Sequence, residues 1–299
     1  MTVSSQLLER FGLGTAQFGM HYGRFNRHGM PSQGDVREIL EKAAQLGISC
    51  IDTAHAYGES EAVLGRCSAT LKQYSIITKT PQFLGAEIRD EDVRFLREAF
   101  ERSLCLMKQT SVHGLLIHHA PNLLQKNGEF LYREMVRIKE EGLVSRIGVS
   151  AYSGDIVEQI IERFPLDFVQ LPINVLDRRL TESGSLYRIY ESGTKIHARS
   201  VFLQGLILAS PDSLVKRFHP VRDKLKAFHE AAKLAGVSVA HAAIHYLVGI
   251  PEIEKIIVGI DSMSQLENIF SGFPEKIEMN FDKFNVDNVD ILNPTFWTN

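Results

Sequence analysis

The chain has 299 residues, 44% hydrophobic and 23% charged, with 33 basic against 36 acidic side chains and a net charge of −3. That composition excludes a disordered or collagen-like chain, and the lack of any long block of like charge argues against a nucleic-acid or anionic-membrane partner. Cys50, Cys67 and Cys105 are odd in number and never form a CxxC, which argues against a disulfide framework and a thiolate zinc site.

The opening MTVSSQLLERFG has neither a basic nor an apolar leader segment, and the apolar run at 201–209 is broken by Gln204 and Gly205. A cytoplasmic location without membrane or nucleic-acid partners is the expectation. In chain order, short apolar or β-branched runs predict strands at residues 11–16, 49–53, 74–79, 112–118, 145–149, 167–171, 195–199 and 255–258. Helical periodicity falls between them. The stretch 35–45 is apolar at Val36, Ile39, Leu40, Ala43 and Ala44, and 93–107 at Phe95, Leu96, Ala99, Phe100 and Leu104. Gly47 and Gly142 sit where helices should stop.

Strands that are almost wholly apolar are expected to be covered on both faces, as in a parallel sheet. Eight βα units without a linker predict one domain over residues 1–299, of the α/β class, closed into a (β/α)8 TIM barrel; a doubly wound open sheet is the other arrangement compatible with the rhythm.

Polar residues interrupt these strands at their C-terminal ends: Asp52, Lys79, His118, then Ser150 and Gln170. In a barrel those ends converge on one face, where catalytic groups are built. Each residue has a plainer reading: Asp52 as a turn cap, Lys79 as a solvated strand end, His118 as a packed histidine, Gln170 as a strand-end amide satisfied by backbone. With Tyr57 in the loop after the second strand they form a coherent chemical set. A phenol titrates near 10, so proton exchange near neutrality asks for a shift of roughly three units, or about 4 kcal/mol. An ammonium about 4 Å away supplies about that at an effective dielectric of about 20. Lys79 is therefore expected to acidify Tyr57, with Asp52 keeping the lysine charged and His118 orienting a carbonyl oxygen. Such a set polarises C=O but brings no hydride, so a cofactor is implied. A metal-dependent hydrolase recruiting His55, His118 and Asp52 is a weaker reading, because no HxH ends the first strand; no metal is expected.

These residues resemble the aldo-keto reductase superfamily, and the resemblance covers most of the chain. FGLGTAQFG resembles the family's first strand, and IDTAHAYGESEAVLG (51–65) its most diagnostic segment. ITKT around Lys79, LLIHHAP around His118, EEGLVSRIGVS up to Ser150, VQLPIN from Val169 to Asn174 and ARSVFLQGLIL from Ala198 follow in the family's order. The resemblance implies a (β/α)8 barrel, Tyr57 as general acid/base, Lys79 and Asp52 tuning it, and His118 seating the carbonyl. It also implies an extended nicotinamide dinucleotide, in keeping with the absence of GxGxxG after a strand.

By the same resemblance Ser150 and Gln170 hold the carboxamide, Ser200 belongs to the landmark after the seventh strand, and Gly259, Ser262, Gln265 and Asn268 belong to the loop and helix start that hold the adenosine phosphate. The chain departs from the family at Ala151, where Asn is common, and at Arg199, where an aromatic commonly stacks on the nicotinamide. The segment IIVGIDSMSQLENI carries little positive charge where many members place Lys and Arg. NADPH is expected from family habit, with NADH as the alternative.

Phe18, Tyr22, Phe83, His119, Phe202 and Trp297 are candidates for the substrate pocket, Phe18 and Phe83 equally for packing against the rim. The tail 273–299 is long enough to fold over the mouth. The expected function is reduction of an aldehyde or ketone, a sugar-related carbonyl among them, by a monomer or small homo-oligomer. The other reading is a cofactor-binding regulatory subunit of the same fold.

Overall fold

A computed structural model describes residues 5–26 and 29–297. Eight parallel strands close into one barrel in sequence order, β1 to β8: β1 Phe11–Gly14, β2 Cys50–Asp52, β3 Ser75–Lys79, β4 Val112–Ile117, β5 Val144–Ser150, β6 Phe168–Pro172, β7 Lys195–Arg199 and β8 Ile253–Gly259. Closure through β1–β8 pairing, Phe11 opposite Ile256, excludes the open doubly wound sheet. The longer helices outside the barrel are α1 Gln33–Gln45, α2 Ser60–Gly65, α3 Asp90–Met107, α4 Gly128–Glu140, α5 Gly154–Ile161, α6 Ser185–Glu191, α7 Arg222–Leu234, α8 Val239–Val248 and α9 Met263–Phe270. No single helix among the described residues is long and apolar enough to cross a membrane.

Local chemistry sets the boundaries. Ser32 caps α1 through a reciprocal capping box with Asp35, so the helix starts at Gln33 rather than at the first apolar residue. Gly47 and Gly142 take φ of 91° and 76°, the left-handed conformation that lets the chain leave α1 and α4. The first strand is shorter than its apolar run because Ala16–Gly19 turns into a short helix.

The barrel interior is layered. Cys50, Ile77, Leu116, Phe168 and Ile257 form a separate buried apolar cluster inside the strands. Two glycines make room for Phe168: a Cβ at Gly114 would lie 2.8 Å from its ring, and one at Gly148 would lie 1.8 Å from its carbonyl oxygen. Because side chains two apart on a strand share a face, the residues at i+2 stand directly above this layer. They are Asp52, Lys79, His118, Gln170 and Gly259. The parity that fills the barrel floor with hydrocarbon thus places the polar set at its mouth.

Candidate active site

Lys79 is 1% exposed, and its ammonium is saturated. It donates to Asp52 Oδ2 at 2.7 Å, to Asp52 Oδ1 at 2.8 Å and to the Thr53 carbonyl at 2.8 Å, three partners for three N–H groups. Gln170 Nε2 donates to Asp52 Oδ1 at 2.7 Å. Since a carboxylate only accepts, this bond fixes the amide's orientation. The other end, Gln170 Oε1, is buried without a hydrogen-bond partner.

Tyr57 is held over this pair by a turn pinned at both ends. Its N–H donates to the Ala54 carbonyl at 3.0 Å, Ser60 N donates to the Tyr57 carbonyl at 3.0 Å, and Glu59 N donates to the Gly19 carbonyl at 3.1 Å. The Lys79 ammonium lies 4.9 Å from the centre of the Tyr57 ring. The His118 ring stands edge-on to the same phenol, centroids 5.9 Å apart at 83°.

The expected acidification of Tyr57 by Lys79 is reversed here. Burial pushes the hydroxyl above its ordinary value, Asp52 pushes the same way, and Arg199 opposes them. The physical reason is the saturation of Lys79: with its charge matched by Asp52 and all three donors spent, it reaches the phenol as one end of a neutral pair. Burial, then the Lys79 charge, holds His118 down at about 3, so the imidazole is neutral.

Beneath the turn lies a network that motif reading gave no role. Ser60, fully buried, donates to the Thr15 carbonyl at 2.9 Å and reaches Thr15 Oγ1 at 2.8 Å and Thr53 Oγ1 at 3.1 Å. Thr15 Oγ1 in turn donates to the Asp52 carbonyl at 3.0 Å. Next to it, Glu61 is 3% exposed and accepts from Thr78 Oγ1 at 2.6 Å, tying α2 to β3. The Ser-Glu pair in ESEAVLG was the available clue. A Cβ at Gly19 would meet Ser60 N at 2.0 Å and the Tyr57 carbonyl at 2.1 Å. Gly19→Ala is therefore expected to cost about 1–3 kcal/mol in urea unfolding by overpacking and to lower turnover by displacing Tyr57. A fully active, equally stable variant would show that this turn does not set the phenol's position.

A cavity of about 550 Å³ opens above the barrel. Asp52, Tyr57, His118, Ser150, Tyr22, Arg199, Ser200 and Phe202 line it, and so do Gly259, Asp261 and Gln265 beyond β8. Among the described residues Asp52–Lys79, Tyr57, His118 and Gln170 are thus brought together, with Ser150 beside Gln170 in strand register. Arg199 runs from the end of β7 toward β5. It donates to the Ala151 carbonyl at 3.1 Å and to Ser200 Oγ at 3.2 Å, with its guanidinium 4.3 Å from the Tyr152 ring centre. Ser200, Leu203 and Gln204 all have positive φ (59°, 46° and 53°), a clustering of strained backbone at the cavity wall.

Several candidates sit elsewhere. Phe18, 2% exposed, packs in the core, and Phe83, 4% exposed, is held in a loop where its N–H donates to Asn122 Oδ1 and its carbonyl accepts from Asn122 Nδ2. His119 caps a short turn outside the cavity wall. Ser262 caps α9, and Asn268 is exposed, reaching Ser264. Trp297 is 9% exposed, donates Nε1 to the Ile291 carbonyl at 3.1 Å and stacks edge-on to Phe218. It lines a smaller side cavity that shares Tyr22 and Gln204 with the main one.

Among the described residues no group of three or more His, Cys, Asp or Glu could hold a metal ion. The residues present fit a nicotinamide carboxamide: Gln170 Oε1 is a buried acceptor in want of a donor, beside Ser150 in strand register at the cavity wall, and a carboxamide N–H would supply that donor.

The fold is a (β/α)8 barrel with a polar cluster at the C-terminal ends of its strands. The chain matches the model of the aldo/keto reductase family over residues 10–293, and it belongs to that family. It is 24% identical to L-galactose dehydrogenase of Arabidopsis thaliana, covering 95% of this chain and 90% of that one. It is also 24% identical to L-glyceraldehyde 3-phosphate reductase of Escherichia coli K12, covering 77% and 76%. An aldo-keto reductase from Bacillus halodurans, in its holo form, shares the fold with a TM-score of 0.69 at 18% identity, over 87% of this chain and 85% of that one.

Proposed function

We propose that this protein reduces the carbonyl of an aldehyde or ketone, with sugar-related aldehydes as the class to test first, and that NAD(P)H is the reductant. A half-buried phenol facing a cavity carries this reading, since Tyr57 O–H donates to no acceptor among the described residues while the Lys79 ammonium beneath it has all three donors engaged by Asp52 and Thr53. The names of two relatives, a sugar dehydrogenase and a sugar-phosphate reductase, favour the sugar class.

In this mechanism Tyr57 gives its proton to the carbonyl oxygen as charge develops there. Neutral His118 orients that oxygen from the edge of the phenol ring. Asp52 and Lys79 hold the phenol's floor as a paired unit, and Gln170 with Ser150 binds a carboxamide. The dinucleotide, when bound, supplies the hydride. Consumption of reduced dinucleotide with a panel of aldehydes tests the reading, and binding without turnover over a wide panel would sink it.

The ionisation pattern fixes the pH dependence. Tyr57 is raised above its ordinary value near 10, so its acid form, which reduction requires, is lost only as pH rises through that higher value. His118 stays neutral until about 3. The kcat for reduction is therefore expected to stay flat from about pH 5 to about pH 9. A fall in kcat centred near neutrality would show that another group controls proton delivery.

A further inference from the structure

The side cavity, about 340 Å³, shares Tyr22, Gly23, Asn26 and Gln204 with the main one. Among the described residues its lining holds one charged side chain, Arg24, together with His21, and no Asp or Glu. The Arg24 side chain meets no carboxylate and no hydrogen-bond acceptor among those residues. It is nevertheless positioned. Its guanidinium carbon sits 6.0 Å from the centre of the Phe218 ring, and Phe218 packs on Phe25 (centroids 5.3 Å) and edge-on to Trp297 (4.8 Å). Its N–H donates to Gln204 Oε1 at 3.3 Å, and the Phe25 N–H donates to the Gln204 carbonyl at 3.3 Å. Leu203 and Gln204 hold left-handed φ of 46° and 53° where the two cavities meet, a strain that persists only where the surroundings impose it. The turn that carries Phe218 adds further positive charge. Arg217 donates to the Phe296 carbonyl and Arg222 to the His219 ring, and neither forms an ion pair among the described residues.

Resting on the reading that Tyr57 and His118 seat a carbonyl, we propose that the side cavity is a subsite for an anionic group at the far end of the substrate, with Arg24 as the residue that binds it. The substrate is then an aldehyde or ketone bearing a phosphate or carboxylate remote from its carbonyl. A guanidinium presents paired N–H donors that match both anions, and one already laid against an aromatic ring loses less freedom on binding. With no internal carboxylate to displace, the incoming anion breaks no ion pair. Arg199, the guanidinium of the main cavity, is committed to the Ala151 carbonyl, Ser200 Oγ and the Tyr152 ring. The cation that meets the remote group is therefore Arg24. A neutral sugar fills the main cavity and leaves this one to water.

Trp297, the chain's one tryptophan, lines the side cavity, so its emission reports occupancy without turnover. Ribose 5-phosphate against ribose, and glucuronate against glucose, are the matched probes. The anionic member of each pair is expected to shift the emission at concentrations about tenfold lower than the neutral member, a margin that narrows as salt is added. Arg24→Gln, at an exposed position, should remove that margin, and Arg24→Lys should restore part of it because the charge returns without the planar fork. With reduced dinucleotide present, the anionic-to-neutral ratio of kcat/KM should fall about tenfold in Arg24→Gln. A response to both anions or to phosphate alone supports the subsite, the second narrowing its class. Equal binding of the two members of each pair by the wild type overturns the proposal, as does an unmoved ratio in folded Arg24→Gln. Turnover of neutral aldehydes without preference for the anionic ones sinks the subsite alone. Turnover of no aldehyde sinks the carbonyl reading and the proposal with it.

Discussion

Tyr57→Phe is expected to lower kcat by at least about a thousandfold while dinucleotide affinity stays within about twofold. The substitution removes one oxygen atom whose hydrogen donates to no acceptor among the described residues, so no buried partner is orphaned. The ring contacts with Lys79, 4.9 Å from the centroid, and with His118 survive in phenylalanine. Stability should therefore move by no more than about 0.5 kcal/mol. What is lost is the proton donor to the developing alkoxide, which burial keeps in its protonated form. Single-turnover measurement of reduced-dinucleotide consumption with an aldehyde checks the rate, and calorimetric titration the affinity. Near wild-type kcat in Tyr57→Phe would remove Tyr57 from the chemistry.

Lys79→Met carries the second large effect, on stability as well as rate. It leaves the Asp52 carboxylate, 3% exposed, with Gln170 as its remaining side-chain donor and no counter-charge. Breaking a buried pair from one side costs about 3–5 kcal/mol. The companion double variant, Asp52→Leu with Lys79→Met, removes both charges and should regain most of that loss, because well-packed apolar replacements of buried pairs are often close to neutral. Both variants are expected to be inactive, since the floor under the phenol is gone. Urea unfolding of the three proteins, with slope and midpoint fitted separately, is the measurement. A single variant that unfolds with wild-type stability would mean that the two charges are not mutually dependent in the folded chain. Recovered stability together with recovered activity in the double variant would mean that the pair has no part in catalysis.

Much of the site was legible because strand parity is a local rule. An apolar residue facing the barrel interior followed two places later by a polar one appears at 50 and 52, 77 and 79, 116 and 118, and 168 and 170. Boundaries were less legible: the apolar run from Phe11 continues beyond Gly14, yet Ala16–Gly19 turns helical to pack against the loop that holds Tyr57. Aromatics in βα loops escaped for another reason. A loop has no period, so nothing near Phe18 or Phe83 tells the core from the mouth, and both lie in the interior. The Ser60 network joins residues 45 apart in the chain and is a product of closure, not of pattern.

The sign of the Tyr57 shift depended on counting partners. From residue types, an ammonium near a phenol lowers its pKa; in the folded chain the same ammonium has all three donors committed to Asp52 and Thr53. Residue order by itself determined the barrel and the five polar side chains at its mouth, through local periodicity and the alternation of strand faces. Only the tertiary structure decided how those charges are paired, which aromatics reach the cavity, and that Asp261 stands on its wall, because pairing, desolvation and exposure depend on distances between residues far apart in the chain.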